Sequence, residues 1–213
     1  MAATRVAAEA ATTPRWVDEE LSLEADPFRS LATWYAAAEQ ADPQAYAMAL
    51  ATVDAAGRPG LRMVLYRGLS AGALRFYTNY ASRKAHELAA NPHAALLFHW
   101  QPLRRQVRIE GRVAPLPAAD SDAYFATRDR ESQLGAWASR QSTPIASREA
   151  LLAGMERMRE RFAGQAVPRP PNWGGYGLVP DAFEFWQNRP NRLHDRLRYE
   201  HSGDAWRVER LSP

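Results

Sequence analysis

The sequence predicts an α+β protein built on an antiparallel β-barrel, and three observations predict it. Short runs rich in branched and aromatic residues are separated by Gly, Asn-Pro and Asp turn signals, the pattern of a meander closed on itself. The middle of the chain instead carries apolar residues at helical spacing. The 213 residues, 46% hydrophobic and 24% charged, make one domain of ordinary size with enough apolar material for a core.

Each element follows in order. Residues 1–25 are rich in alanine and threonine without a clear period and predict a mobile tail; residues 26–213 then form a single domain. Asp26-Pro27 opens a helix reaching about Gln40, because proline suits the first turn and Phe28, Leu31, Trp34 and Tyr35 recur at helical spacing. Residues 45–54 read as a strand, Ala55-Ala56-Gly57 as a hairpin turn, and residues 60–67 as the returning strand. Residues 73–78 add a third. Ser82 is a candidate N-cap for a helix to Ala90, stopped by Asn91-Pro92. Residues 93–100 and 106–113 complete the meander. Helices are expected at 118–126, 129–138 and 147–162, the last with Leu151, Met155, Met158 and Phe162 on one face. After the stiff 168–171 connector (PRPP), residues 177–186, 192–199 and 205–211 return to strand.

Composition narrows the chemistry. Cysteine is absent, which excludes disulfides, thiolate catalysis and zinc–cysteine sites and is compatible with a reducing cytoplasm. The five histidines show no metal-ligand spacing, so no metal is expected. No apolar run approaches the ~20 residues of a membrane span, and no phosphate-loop, dinucleotide or nucleophile-elbow motif is present. The net charge of +3 is carried almost wholly by arginine, with Lys84 the only lysine. Acids interleave with these arginines, as in Arg128-Asp129-Arg130-Glu131, which argues against a nucleic-acid stripe.

Four places hold chemistry of one kind. Arg62 and Arg67 flank the strand RMVLYR; ideal alternation points them to opposite faces, so they are either solvated strand ends or brought together by an irregularity. Ser82-Arg83-Lys84 sits where a helix starts, and a basic pair at the positive end of a helix dipole suits a phosphate. Tyr124, Arg128 and Ser132 recur at i, i+4 and i+8, either an exposed face or a second anion seat. Arg192, His194 and Arg196, read as strand, share one face beside the aromatic run 183–187, and like charges on one face call for an anion unless the edge is solvated. Two anion seats, stacking aromatics and no activated nucleophile describe a phosphorylated cofactor beside a phosphorylated substrate, the cofactor carrying the chemistry.

RMVLYR (62–67), FYTNYASRK (76–84), RQVRIEG (105–111), SQLGAWASRQS (132–142), WGGY (173–176) and EFWQNRPNRLHDR (184–196) together resemble the pyridoxamine 5'-phosphate oxidase family, in order, from about Asp26 to Pro213. The resemblance implies an FMN-binding split barrel with peripheral helices, working as a homodimer with FMN at the subunit interface. It implies oxidation of pyridoxamine or pyridoxine 5'-phosphate to pyridoxal 5'-phosphate, with dioxygen as acceptor. By position, FMN would contact Arg62, Met63, Val64, Leu65, Arg67, Tyr77, Thr78, Arg83, Lys84, Gln106, Gln141, Ser142, Trp186 and Arg196. Arg67, Tyr124, Arg128 and Ser132 would hold the substrate phosphate, and Arg192, Leu193 and His194 would close over the substrate, with Arg192 and His194 nearest its reacting carbon. Family members commonly carry lysine where this chain has Arg67, and the family's N-terminal Arg and Tyr have no clear match in residues 1–26. Rival readings are a split-barrel oxidase of the phenazine-pathway kind and a non-catalytic flavin or pyridoxal phosphate carrier.

Overall fold

The computed structural model describes residues 21–203 and 205–213. Helix α1, Pro27–Ala41, is capped by Asp26, whose carboxylate accepts from the Phe28 N–H at 2.9 Å, and it buries Leu31, Trp34 and Ala38. Strands β1 (Ala47–Val53) and β2 (Pro59–Leu65) form the expected hairpin; β3 (Leu69–Ser70) is a two-residue strand that sequence reading passed over. Then come β4 (Ala73–Asn79), α2 (Arg83–Ala90), β5 (His93–Trp100) and β6 (Arg105–Pro115). Helices α3 (Ala118–Ala126), α4 (Arg130–Ala138) and α5 (Arg148–Arg161) occupy the predicted middle. Strands β7 (Trp173–Gln187), β8 (Asp195–Ser202) and β9 (Ala205–Arg210) close the chain.

The described strands form one sheet in the order β2-β1-β5-β6-β7-β4-β3, with β8 and then β9 added alongside β7, every pairing antiparallel. β7 is the hinge of the architecture. Its first residues, Trp173–Leu178, pair with β4, and its last, Ala182–Gln187, pair with β8, while β6 runs beside both. A bulge makes that division: Gly111 pairs with Pro180 and Glu110 with Ala182, leaving Asp181 extra. Gly111 is needed there, because a Cβ on it would stand 2.0 Å from the Val179 carbonyl oxygen.

Inward residues of alternating strands fill the barrel: Met48 and Leu50, Leu74 and Phe76, Leu96 and Phe98, Val107 and Ile109, Phe183 and Phe185 are fully or nearly fully buried. A second apolar cluster, Phe125, Leu134, Phe162, Val167 and Trp173, lies under α3–α5. Residues 1–20 of the expected tail lie outside the described residues. The next residues are tied down: Leu21 is in the core, and the Tyr199 hydroxyl donates to the Glu24 carbonyl at 2.8 Å. No helix among the described residues is long and apolar enough to cross a membrane.

One expected strand is shorter than predicted. Residues 192–199 are not all extended: Pro190–Arg192 form a 3-10 turn, Asn191 and Arg192 take positive φ of 56° and 62°, and β8 starts only at Asp195. Pro190 cannot donate to a ladder, which favours a turn there over an early strand. Arg192, His194 and Arg196 therefore do not share a face by simple alternation.

Candidate functional site

A cavity of about 610 Å³ opens between β4, the start of β7 and helices α3–α4. It is lined by Arg67, Tyr77, Thr78, Tyr124, Arg128, Ser132, Gln141 and Trp173, with Leu65 at its edge. The α3–α4 connection brings Tyr124, Arg128 and Ser132 to one wall. Arg128 follows the end of α3, and Asp129 caps α4 by accepting from the Ser132 N–H at 2.8 Å. Behind them the rings of Tyr77 and Tyr124 stack at 3.9 Å, with Trp173 parallel to Tyr77 at 5.6 Å.

Both arginines of this wall are held by that aromatic stack. The Arg128 guanidinium lies 4.7 Å over the Trp173 ring, and Arg67 donates from Nε to the Tyr124 hydroxyl at 2.5 Å and from Nη1 to the Tyr66 carbonyl at 3.1 Å. Arg128 Nη1 is buried with no hydrogen-bond partner, and burial, with Arg67 adding to it, pulls the Arg128 guanidinium below its ordinary pKa. A buried guanidinium nitrogen left open beside a second arginine, a phenol and a hydroxyl fits a tetrahedral oxyanion.

A second cationic place adjoins the first. Lys84, only 8% exposed, donates from Nζ to Thr78 Oγ1 (3.0 Å), Gln141 Oε1 (3.1 Å) and Ser82 Oγ (3.3 Å), all neutral oxygens. Burial lowers its pKa, and Arg62 nearby lowers it further, against the opposing pull of Glu87. Lys84 and the exposed Arg83 occupy the first turn of α2, where no acid stands. A buried ammonium bonded only to neutral groups, at the positive end of a helix, fits an added phosphate. The residues present thus suit the phosphate of FMN.

The remaining residues expected at the cofactor divide in several ways. Val64 is turned into the core, so only its backbone is available, and Met63 is exposed on the outer side of β2. Arg62 is directed inward: Nη2 meets Glu87 at 2.7 Å, and Nη1 reaches the Leu50 and Gly60 carbonyls and Thr52. Ser142 sits in an exposed loop at φ 68° and does not line the cavity.

Gln106, Trp186 and Arg196 form one row across β6, β7 and β8. Gln106 and Trp186 line a separate hollow of about 290 Å³, and Arg196 donates to Glu184 at 2.8 Å. His194 packs on Trp186 at 4.6 Å and accepts from the Arg189 N–H at 3.2 Å, while Arg192 and Leu193 are exposed on the turn beside them. This row does not meet the first cavity within the chain. Trp173 and Trp186 lie thirteen residues apart on β7, a path of ~40 Å at the usual strand rise. Two residues at this candidate site do not stand out in the sequence: Trp173, which lines the cavity from the WGGY segment, and Glu87, for which an acid four residues after Arg83 on a helix is the available signal.

Barrel, bulged β7 and cation-lined cavity define a split-barrel protein with a cleft whose lining suits an anion. Comparison with known proteins narrows the class. Residues 36–162 match the family model described as pyridoxamine 5'-phosphate oxidase, and residues 173–213 match the pyridoxine 5'-phosphate oxidase C-terminal dimerisation region. The pyridoxine/pyridoxamine 5'-phosphate oxidase of Bordetella petrii is 55% identical over 196 residues, 91% of this chain and 92% of that protein. That of Sphingopyxis alaskensis is 53% identical over 88% of each. Among solved structures, PhzG of Burkholderia lata, bound to tetrahydrophenazine-1-carboxylic acid, superposes with a TM-score of 0.84 at 32% identity, over 96% of this chain and 98% of that one. An FMN-binding protein related to pyridoxamine 5'-phosphate oxidase from Nostoc punctiforme, 21% identical over 91% of this chain and all of its own, shares the fold at a TM-score of 0.72. The chain belongs to the pyridoxamine 5'-phosphate oxidase family.

Proposed function

We propose that this chain is an FMN-dependent oxidase that converts pyridoxine or pyridoxamine 5'-phosphate to pyridoxal 5'-phosphate, acting as a homodimer with FMN at the subunit interface. The observation that carries the substrate class is Arg128 Nη1, buried and unpartnered in the wall that also presents Arg67, Tyr124 and Ser132. When bound, FMN would supply a ring that accepts a hydride from the substrate C4' carbon and passes both electrons to dioxygen, giving hydrogen peroxide; the alcohol substrate becomes the aldehyde directly, and the amine substrate becomes an imine that water hydrolyses with release of ammonia.

The protein's part is binding and orientation. Arg128, Arg67, Tyr124 and Ser132 grip the substrate phosphate and so set where the pyridine ring lies. Lys84 and Arg83 hold the FMN phosphate through charge-assisted bonds, and Thr78 and Gln141 hold the lysine in place. Gln106, Trp186 and Arg196 of one subunit complete the cofactor site begun by the other. Arg192, Leu193 and His194 stand on the turn beside Trp186, where they close over the substrate. An arginine is a poor base at neutral pH, so Arg192 acts by orienting the substrate. The substrate and cofactor phosphates are charged and do not cross a bilayer unaided, so the cytoplasm is the proposed setting.

The test is a visible spectrum of the purified protein under nitrogen. Pyridoxine 5'-phosphate should bleach a flavin spectrum, and air should restore it as pyridoxal 5'-phosphate forms. Arg128→Ala should need at least about tenfold more substrate for the same bleaching, as expected for a lost charge-assisted contact. A flavin spectrum indifferent to this substrate but bleached by a phosphate-free tricyclic carboxylate would favour the phenazine-type reading, which the PhzG likeness keeps in view.

A further inference from the structure

Glu87 is an acid inside the cationic half of the site, and no role in the proposed reaction uses it. Its side chain is 4% exposed and receives three donors: Arg62 Nη2 at 2.7 Å, Arg83 Nε at 2.6 Å, and the Thr52 hydroxyl. Burial alone would raise its pKa, but hydrogen bonds from Thr52, Arg83 and Arg62 outweigh burial and hold the carboxyl below its ordinary value, so it is an anion at neutral pH. A buried carboxylate is tolerated only when paired, and here both partners belong to the cationic surface beside Lys84.

The surroundings are built around this pair. Gly60, on the strand facing α2, leaves room for it: a Cβ there would stand 2.6 Å from Arg62 Nη2 and 2.8 and 2.9 Å from the two Glu87 oxygens. Arg62 is further anchored by the Leu50 carbonyl at 3.1 Å and the Gly60 carbonyl at 3.2 Å. Arg83, its side chain 62% exposed, bonds Glu87 through Nε at 2.6 Å, and its terminal nitrogens are not used in that bond.

We propose that Glu87 is the positioning residue of the FMN phosphate seat: its carboxylate locks Arg62 against the barrel and pins Arg83 by one nitrogen, so that Arg83 presents its remaining donors beside Lys84. This rests on the reading of the α2 start as the seat of the FMN phosphate. Glutamine at this position keeps the shape but offers one acceptor oxygen where two cations bond, and its amide faces a guanidinium donor to donor. The negative charge lost would by itself favour an anion. Glu87 is buried, so that gain is only partly screened, and the loss of fixed donor geometry at Arg62 and Arg83 must outweigh it.

The experiment compares FMN with riboflavin, which differs only in lacking the phosphate. Flavin fluorescence quenching gives both dissociation constants for the full chain stripped of bound flavin. The wild-type chain should prefer FMN strongly. Glu87→Gln should reduce that preference about tenfold and leave riboflavin binding within roughly twofold. Gly60→Ala, which pushes the same pair apart without touching its charge, should lower the preference in the same direction. Unchanged preference in both variants, or equal loss for the two flavins, overturns the role of Glu87. A wild-type chain that binds riboflavin as tightly as FMN removes the phosphate seat itself, and this inference with it.

Discussion

Arg67 shows how much one side chain in this cavity is asked to do. Its Nε bonds the Tyr124 hydroxyl, its Nη1 bonds the Tyr66 carbonyl, and its guanidinium lies 5.2 Å over the Tyr46 ring. A lysine here would have one nitrogen on a flexible stem and could not make these contacts at once. Arg67→Lys should therefore raise the KM for pyridoxine 5'-phosphate about three- to tenfold, the worth of one hydrogen bond and some ordering, and leave kcat within about twofold. Steady-state kinetics on the variant checks this. A fall in kcat with an unchanged KM would place Arg67 at the reacting end of the substrate instead.

At the scale of elements, β7 decides where everything else sits. It is long enough to serve β4 at one end and β8 at the other, and the bulge at Asp181 re-aims it between the two. Gly111 permits that bulge, since nothing larger fits against the Val179 carbonyl. Gly111→Ala should cost roughly 1–3 kcal/mol, as overpacking of a tight contact does, and lower the melting temperature by about 5 °C for a chain of this length. Thermal unfolding of the variant measures it. An unchanged melting temperature would mean that β6 and β7 shift apart freely at this point, and the bulge would lose its part in shaping the site.

For the molecule as a whole, the candidate cofactor residues form two groups, one beside the start of β7 and one at its end, which the proposed function joins across two subunits. The C-terminal dimerisation region and a row of exposed apolar residues on the edge strand β2, Leu61 (73% exposed), Met63 and Leu65, both point to a second copy, and in the proposed dimer that copy joins one group to the other. Lys84→Ala damages one group and Trp186→Ala the other, so each variant alone should lose most of its flavin. Co-expressed with different tags, random pairing in a two-fold symmetric dimer puts one intact site into each mixed dimer, and flavin should return to roughly a quarter of all sites. Flavin content no higher than the average of the two variants would show that both groups serve one site within a single chain.

Much of this was legible in the residues. The ends of α1, the β1–β2 hairpin and α3–α5 were marked by local signals: Asp26-Pro27, Gly57, and helical spacing from Leu151 to Phe162. Those signals are short-range chemistry, and a sequence records them directly. The arginines, the lone lysine and the helix start at Ser82 likewise marked the two proposed anion seats. Tertiary structure alone decided the rest, because the deciding contacts join residues far apart in the chain. It turned Arg62 inward onto Glu87, stacked Trp173 under Arg128, and set Trp186 in a different hollow from Thr78 and Gln141, the partners of Lys84. It also broke the expected strand at Arg192, where a proline and two left-handed residues outweigh the alternation. Residue types and their spacing along the chain tell which chemistry this protein carries; which of those groups line the cavity and which hold the others in place follows from packing, since burial and pairing depend on neighbours that the chain order does not reveal.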